Sequence, residues 1–172
     1  AGITSTAIDK GDHYLVNGSK TFISNGYLSD LIITVAKTDP EKEINGISLL
    51  MVERGMEGFE RGKRLKKIGL NAQDTSELFY HDVKVPKANL LPNKSGLGAP
   101  LMCLDSARYG IAWGALGAAM DCYETARRYS LERIQFDKPI GSFQLVQKKL
   151  AEMLTEITKA QLLCWRLGVL KN

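Results

Sequence analysis

The sequence predicts an α+β protein: an antiparallel β-barrel or sandwich domain over residues 1–92, then two long helices of an incomplete four-helix bundle over residues 93–172. Three observations carry that prediction. The first half is a series of short β-branched and apolar runs separated by Gly, Asn and Pro. After "LLPNKSGLGAP" the apolar period lengthens to between three and four residues. From Phe143 onward the apolar positions fall on one regular seam.

In chain order, "HYLVNGSKTFISNG" reads as two short strands around Asn17-Gly18, a dipeptide that suits a type I′ hairpin turn, and a second Asn-Gly follows at Asn25-Gly26. "LIITVAKTD" is a buried strand stopped by Asp39-Pro40, and "GISLLMVE" is another. "TSELFYHDVKVP", bounded by Pro86, reads as a strand pair or one long strand. From about Leu101 to Arg133, residues Leu104, Ile111, Ala115, Ala118, Cys122, Ala126 and Tyr129 recur three, four or seven apart and mark one helical stripe. "FDKPIGS" interrupts it with Pro139 and Gly141. The second helix carries Phe143, Val146, Leu150, Met153, Ile157, Ala160, Cys164 and Leu167 in alternating steps of three and four, the seam of helices packed at a shallow angle. Two helices cannot enclose a core alone, so further helices from a longer chain or another subunit are expected. The opening "AGITSTAID", without Met, and the close at "LGVLKN" inside a helical pattern lead to the expectation that this is a piece of a longer protein.

Gly110, Gly114 and Gly117 lie inside the first helix, where each costs about 1 kcal/mol against alanine. Small residues on successive turns let another helix or a thin ligand approach the backbone, which can offset that cost.

Composition narrows the function. An apolar fraction of 44% and a charged fraction of 24% are those of an ordinary globular protein, and no run approaches a membrane span. Cys103, Cys122 and Cys164 are odd in number and far apart, which argues against a disulfide framework or a zinc site and for a reducing interior. The net charge of +4 is mild, and the basic cluster Lys63, Arg64, Lys66 and Lys67 reads as a solvated face. Without aromatics interleaved among these residues, nucleic acid is not indicated. No His, Cys or Asp cluster has metal-ligand spacing, no serine sits in a nucleophile elbow, and "SGLGAP" lacks the G-x-G-x-x-G order. His81 and Asp82 read as solvent-facing.

A few positions invite two readings each. Phe22 in "TFISNG" fits an aromatic packed into the β domain, or a wall for a ligand. Arg133 fits a helix C-terminal cation favoured by the macrodipole, or a planar fork for a diphosphate. Arg108 is a surface residue paired with Asp105 three positions earlier, or a charge held at a site.

These residues resemble a known family, the acyl-CoA dehydrogenases, over nearly the whole chain. "NGSKTFISNG" is similar to the family's flavin-contacting hairpin, "DTSELFYHDVKVP" to the last strands of its β domain, and "ARYGIAWG" with "RIQFDKPIGSFQLVQKKLAEMLTEI" to its first two bundle helices. The second half is most similar to glutaryl-CoA dehydrogenases, the first to long-chain and general acyl-CoA dehydrogenases. The resemblance implies FAD as cofactor, an acyl-CoA substrate with glutaryl-CoA a first candidate, electron-transfer flavoprotein as redox partner, and a tetramer built on the bundle. It places the protein in the cytoplasm if bacterial and in the mitochondrial matrix if eukaryotic. It implies that Phe22, Ile23 and Ser24 meet the flavin, and that Arg133, Gln135, Phe136 and Gln144 reach the pyrophosphate and adenine end of an FAD held mainly by a neighbouring subunit. Leu101, Leu104, Asp105 and Arg108 of "LMCLDSAR" would line the acyl-CoA site, with Thr38 near CoA. In one branch of the family the proton-abstracting glutamate directly precedes the helix arginine; here that residue is Ala107. Hence no catalytic base is expected within residues 1–172, and the piece alone is expected to be inactive. Two rivals remain: a non-catalytic FAD- or acyl-CoA-binding or assembly module, and a carbohydrate- or peptide-binding sandwich, which leaves the helical seam without purpose.

Overall fold

The computed structural model describes residues 2–171, which divide into two units, Ala1–Met102 and Cys103–Asn172. The first unit forms seven strands: β1 Thr6–Asp9, β2 His13–Ser24, β3 Leu31–Lys37, β4 Ile47–Glu53, β5 Phe59–Arg61, β6 Thr75–Pro86 and β7 Leu90–Ser95. They make one sheet in the order β5-β6-β2-β1-β3-β4-β7. The α+β class holds, but the sheet does not close into a barrel, because β5 and β7 end it without pairing to each other. Nor is it wholly antiparallel. β2 folds back along one side of β1, so β3 enters on the other side and meets it in parallel at Thr6↔Lys37.

The expected hairpin at Asn17-Gly18 is a correction. That dipeptide lies inside β2, at a register slip between Val16 and Gly18 against β6. Its amide is occupied across the sheet: Asn17 Nδ2 donates to Asp82 Oδ1 at 2.8 Å, and Asp82 N–H donates to Asn17 Oδ1 at 2.9 Å. The turn falls instead at Asn25-Gly26, where Ser29 N–H donates to the Asn25 carbonyl at 2.9 Å. "TSELFYHDVKVP" is one long strand, β6, whose inward set passes from Ser76, Leu78 and Tyr80 to Val83 and Val85. The change of phase sits at Asp82, which has a φ of 51° and supplies the extra residue of a bulge. The core gathers Ala7, Tyr14, Val16, Leu50, Val52, Leu78, Tyr80, Val83 and Val85, all buried.

In the second half, α1 is Gly98–Glu132 and α2 is Gln144–Lys171, separated by the two-residue strands β8 Ile134–Gln135 and β9 Lys138–Pro139. Phe136 and Asp137 turn that small hairpin with φ of 53° and 62°, the pattern of a type I′ turn. The helices run antiparallel: Tyr109 Oη donates to the Cys164 carbonyl at 3.4 Å, and Gln161 Nε2 lies 3.1 Å from Met120 Sδ. The seam read in α2 is the shielded one from Phe143 through Val146, Leu150, Met153, Ile157, Ala160 and Cys164, but its last position, Leu167, is exposed, and Gln161 and Gly168 are partly buried in that final stretch instead. The stripe read in α1 is not. From Tyr109 onward its shielded residues are Tyr109, Ala112, Leu116, Ala119, Tyr123, Arg127 and Ser130, whereas Leu104, Ile111, Ala115, Ala118, Cys122, Ala126 and Tyr129 are exposed. α1 is apolar on more than one face, so periodicity alone could not say which face α2 covers.

Candidate functional site

β2 ends in a strained segment. A second register slip lies between Lys20 and Ile23, and within it Phe22 adopts a φ of 59°. An extra residue on one strand re-aims the side chains around it. Ile23 packs against the core while Phe22 and Ser24 face outward, Phe22 being 75% exposed. The turn that follows is clamped from a distance: Asn25 N–H donates to the Asp74 carbonyl at 2.9 Å, and Tyr27 N–H to Asp74 Oδ2 at 2.8 Å. Asp74 and Ser76 are buried, and Asp74 Oδ1 and Ser76 Oγ have no hydrogen-bond partner among the described residues. Asp74 was not singled out in the sequence, because a partner 47 residues away leaves no local signal.

The basic cluster is solvent-facing at Lys63, Arg64 and Lys66, and Arg64 with the neighbouring Arg61 also meets Tyr27. The Arg64 and Arg61 guanidiniums lie 4.8 Å and 5.5 Å from the centre of the Tyr27 ring, close enough for cation–π attraction. Arg54 donates to the Leu28 carbonyl at 2.9 Å and pairs with Asp30 at 3.0 Å. Together they fix the segment directly after Ser24.

Thr38 follows the end of β3. Its hydroxyl donates to the Gly46 carbonyl at 3.2 Å and shares a hydrogen bond with Ser48 Oγ at 2.7 Å. Gly46 is required there, since a Cβ on it would run into the Asp39 carbonyl oxygen. Thr38 therefore already holds its own loop closed.

On α1, Leu101 and Leu104 are exposed, and Arg108 pairs with Asp105 at 2.9 Å in solvent. An exposed pair of this kind contributes at most about 1 kcal/mol, so it leaves Arg108 free to change partner. Around the small hairpin, Arg133 gives its N–H to the Tyr129 carbonyl and accepts Ile140 N–H on its own carbonyl, both at 2.9 Å. Among the described residues its guanidinium has no ion pair, and Gln135 and Gln144 are exposed. Phe136 is 85% exposed and touches Phe143 edge-on at a ring distance of 6.1 Å. The structure thus groups Phe22 and Ser24 on one unit, and Arg133, Gln135, Phe136 and Gln144 around one hairpin of the other. Leu104, Asp105 and Arg108 share neighbouring turns of α1.

Two phenylalanines, each at positive φ, are presented to the outside beside free polar groups. A non-glycine residue in that conformation costs about 1–3 kcal/mol, and an exposed ring returns none of it by burial. The class this defines is an α+β protein with two outward-facing clusters of aromatic and polar side chains, one on each unit.

Comparison with known proteins narrows the class. Residues 1–83 match the family model of the acyl-CoA dehydrogenase middle domain, and residues 94–171 match that of the acyl-CoA dehydrogenase C-terminal domain. Glutaryl-CoA dehydrogenase of Desulfococcus multivorans is 42% identical over 99% of this chain and 44% of its own length. The short-chain specific acyl-CoA dehydrogenase of Clostridium acetobutylicum is 40% identical over 98% of this chain and 45% of its own. A glutaryl-CoA dehydrogenase from Mycobacterium smegmatis, solved in complex with FADH2, superposes with a TM-score of 0.93 at 42% identity, over 99% of this chain and 43% of that one. The chain belongs to the acyl-CoA dehydrogenase family, and it spans less than half the length of the curated relatives it matches. No helix among the described residues is long and apolar enough to cross a membrane.

Proposed function

We propose that this chain forms the middle β domain and the first bundle helices of an FAD-dependent acyl-CoA dehydrogenase. The observation that carries the reading is the pair of exposed phenylalanines at positive φ, Phe22 and Phe136. Each stands where the family resemblance puts a cofactor contact, and a bound flavin or adenine would cover the ring that nothing else covers. The residues present fit FAD: Phe22 offers a flat apolar wall, Ser24 an exposed hydroxyl, and Arg133 a planar fork, without an ion pair among the described residues, for phosphate oxygens. Gln135 and Gln144 add amide donors on the same hairpin. When bound, the flavin would accept the hydride that leaves the acyl β-carbon.

The chain's own residues orient and bind in this scheme. Leu101 and Leu104 offer apolar surface to an acyl chain, and Arg108 can exchange Asp105 for a thioester-end or pantetheine oxygen. Thr38 steadies the loop nearest CoA. Ala107 cannot take a proton, so the base that removes the α-proton is not the residue before Arg108. Glutaryl-CoA, with loss of carbon dioxide to give crotonyl-CoA, is the first substrate candidate and butyryl-CoA the second. Electron-transfer flavoprotein is the proposed acceptor, and a tetramer the proposed assembly.

The test is spectroscopic. Full-length protein purified with FAD should show its flavin band bleach on adding glutaryl-CoA or butyryl-CoA, and the acyl-CoA that bleaches it fastest names the substrate. Ala107 also favours a second reading, a binding module without dehydrogenation. That reading holds if FAD and acyl-CoA bind and no acyl-CoA bleaches the band.

A further inference from the structure

A cavity of about 140 Å³ lies among β2, β3 and β6, and apart from Ile23 its lining residues have no part in the roles above. Ile23, Ile32, Val35 and Leu78 wall it with carbon, and the Thr34 and Tyr80 hydroxyls close on each other at 2.8 Å. Lys20 lines it from β2, where it stands opposite Leu78 in the register. Its side chain is half-buried, and burial alone holds the amine below the usual lysine range, with no charged group contributing. The other titratable group on these walls is Tyr80, which burial pushes up and so keeps neutral. Exposed lysines are placed differently: Lys148 faces Glu152 at 3.7 Å and Lys159 faces Glu156 at 2.7 Å, both in solvent and away from any apolar cavity.

An apolar wall disfavours the ammonium form and leaves more of the amine as a free lone pair. With about 30 Å³ per water as a gauge, the cavity suits a small acyl group of two to four carbons. We propose that Lys20 is an acylation site, its amine attacking the thioester carbonyl of a short-chain acyl-CoA whose acyl group enters this cavity. The nitrogen lone pair forms the N–C bond and the C–S bond breaks. CoA leaves as thiolate, and the proton lost from nitrogen passes to it. Nothing is oxidised or reduced. The product is a neutral amide, better matched to the apolar walls than the ammonium it replaces. Acyl-CoA is the acyl donor here and flavin takes no part, so the inference stands apart from the dehydrogenase reading.

The experiment incubates the 172-residue chain with butyryl-CoA at mildly alkaline pH and follows each lysine by peptide mass spectrometry. Lys20 should gain the butyryl group about fivefold faster than Lys148 or Lys159, a rate ratio within reach of a desolvation shift. In urea sufficient to unfold the chain the excess should vanish. Equal rates in the folded chain overturn the proposal, and so does an excess that survives unfolding, because the cavity would then have no part in it.

Discussion

The sheet unit and the helix pair treat their apolar residues in opposite ways. In the sheet, Val16, Leu50, Val52, Leu78, Tyr80, Val83 and Val85 are all buried, and the polar pair inside is satisfied. In the helices, Leu116 and Ser130 are the buried residues of α1, and α2 has none among its described residues. Leu154, Leu163 and Trp165 face outward. The first unit has a core of its own; the second has one shared seam and faces still unmatched. Burial of apolar area is the main favourable term in folding, so stability should reside mostly in the sheet.

Core truncation gives the largest test of that contrast. Leu50→Ala should destabilise the chain by about 2–5 kcal/mol in urea unfolding, whereas Leu154→Ala on α2 should stay within about 0.5 kcal/mol. Equal losses would show that the helices carry as much of the fold as the sheet. Next comes Tyr80→Phe, which strands the Thr34 hydroxyl in the core and should cost about 1–3 kcal/mol. A loss near zero would mean that water reaches the pair.

The helix glycines sharpen the comparison from the other side. A Cβ on Gly110, Gly114 or Gly117 meets nothing within 4 Å. Gly110→Ala and Gly117→Ala should therefore raise the thermal midpoint of this chain, each by up to about 1 kcal/mol of stability. If that open side receives another helix or the acyl-CoA tail in the full-length protein, the same changes should weaken its assembly or acyl-CoA binding. A gain in both settings would remove close approach as the reason for these glycines.

The smallest effect is a pH-dependent one on the sheet. Asp9 accepts the Gly11 N–H and pairs with Lys87 at 2.9 Å, and both hold its carboxyl below the usual range. A carboxyl with a lowered folded pKa adds stability that is present above its unfolded value and is lost as pH falls through the folded one. Asp9→Asn should thus cost a little at neutral pH and nothing at strongly acidic pH. A cost unchanged by acid would assign the effect to packing.

Much of this was legible in the residues. The seam of α2 could be read because its apolar positions form a single stripe with polar residues on either side. The shielded stripe of α1 could not, because Ile111, Trp113 and Leu116 point three ways around one helix and only a partner decides among them. Asn17-Gly18 has the composition of a hairpin turn, yet its amide belongs to Asp82, 65 residues away. Phe22 and Phe136 could be picked out as candidate contacts, but the positive φ that sets each ring outward comes from the bulge and the turn around it. Asp74, which clamps the turn after Ser24, is visible only once the strands are paired.

Tyr109 and Gly168 have a consequence for how the helix pair is indexed. Two antiparallel helices with a repeating seam can slide by whole heptads, about 10 Å at a time, and find similar contacts again. The Tyr109 hydroxyl lies where a Cβ on residue 168 would be, so the ring fits one notch on α2 and not its neighbours. That notch works like the zero mark on a slide rule: with it engaged, every residue of α2 has one address along α1, with Cys164 and Gly168 beside Tyr109 and Gln161 beside Met120.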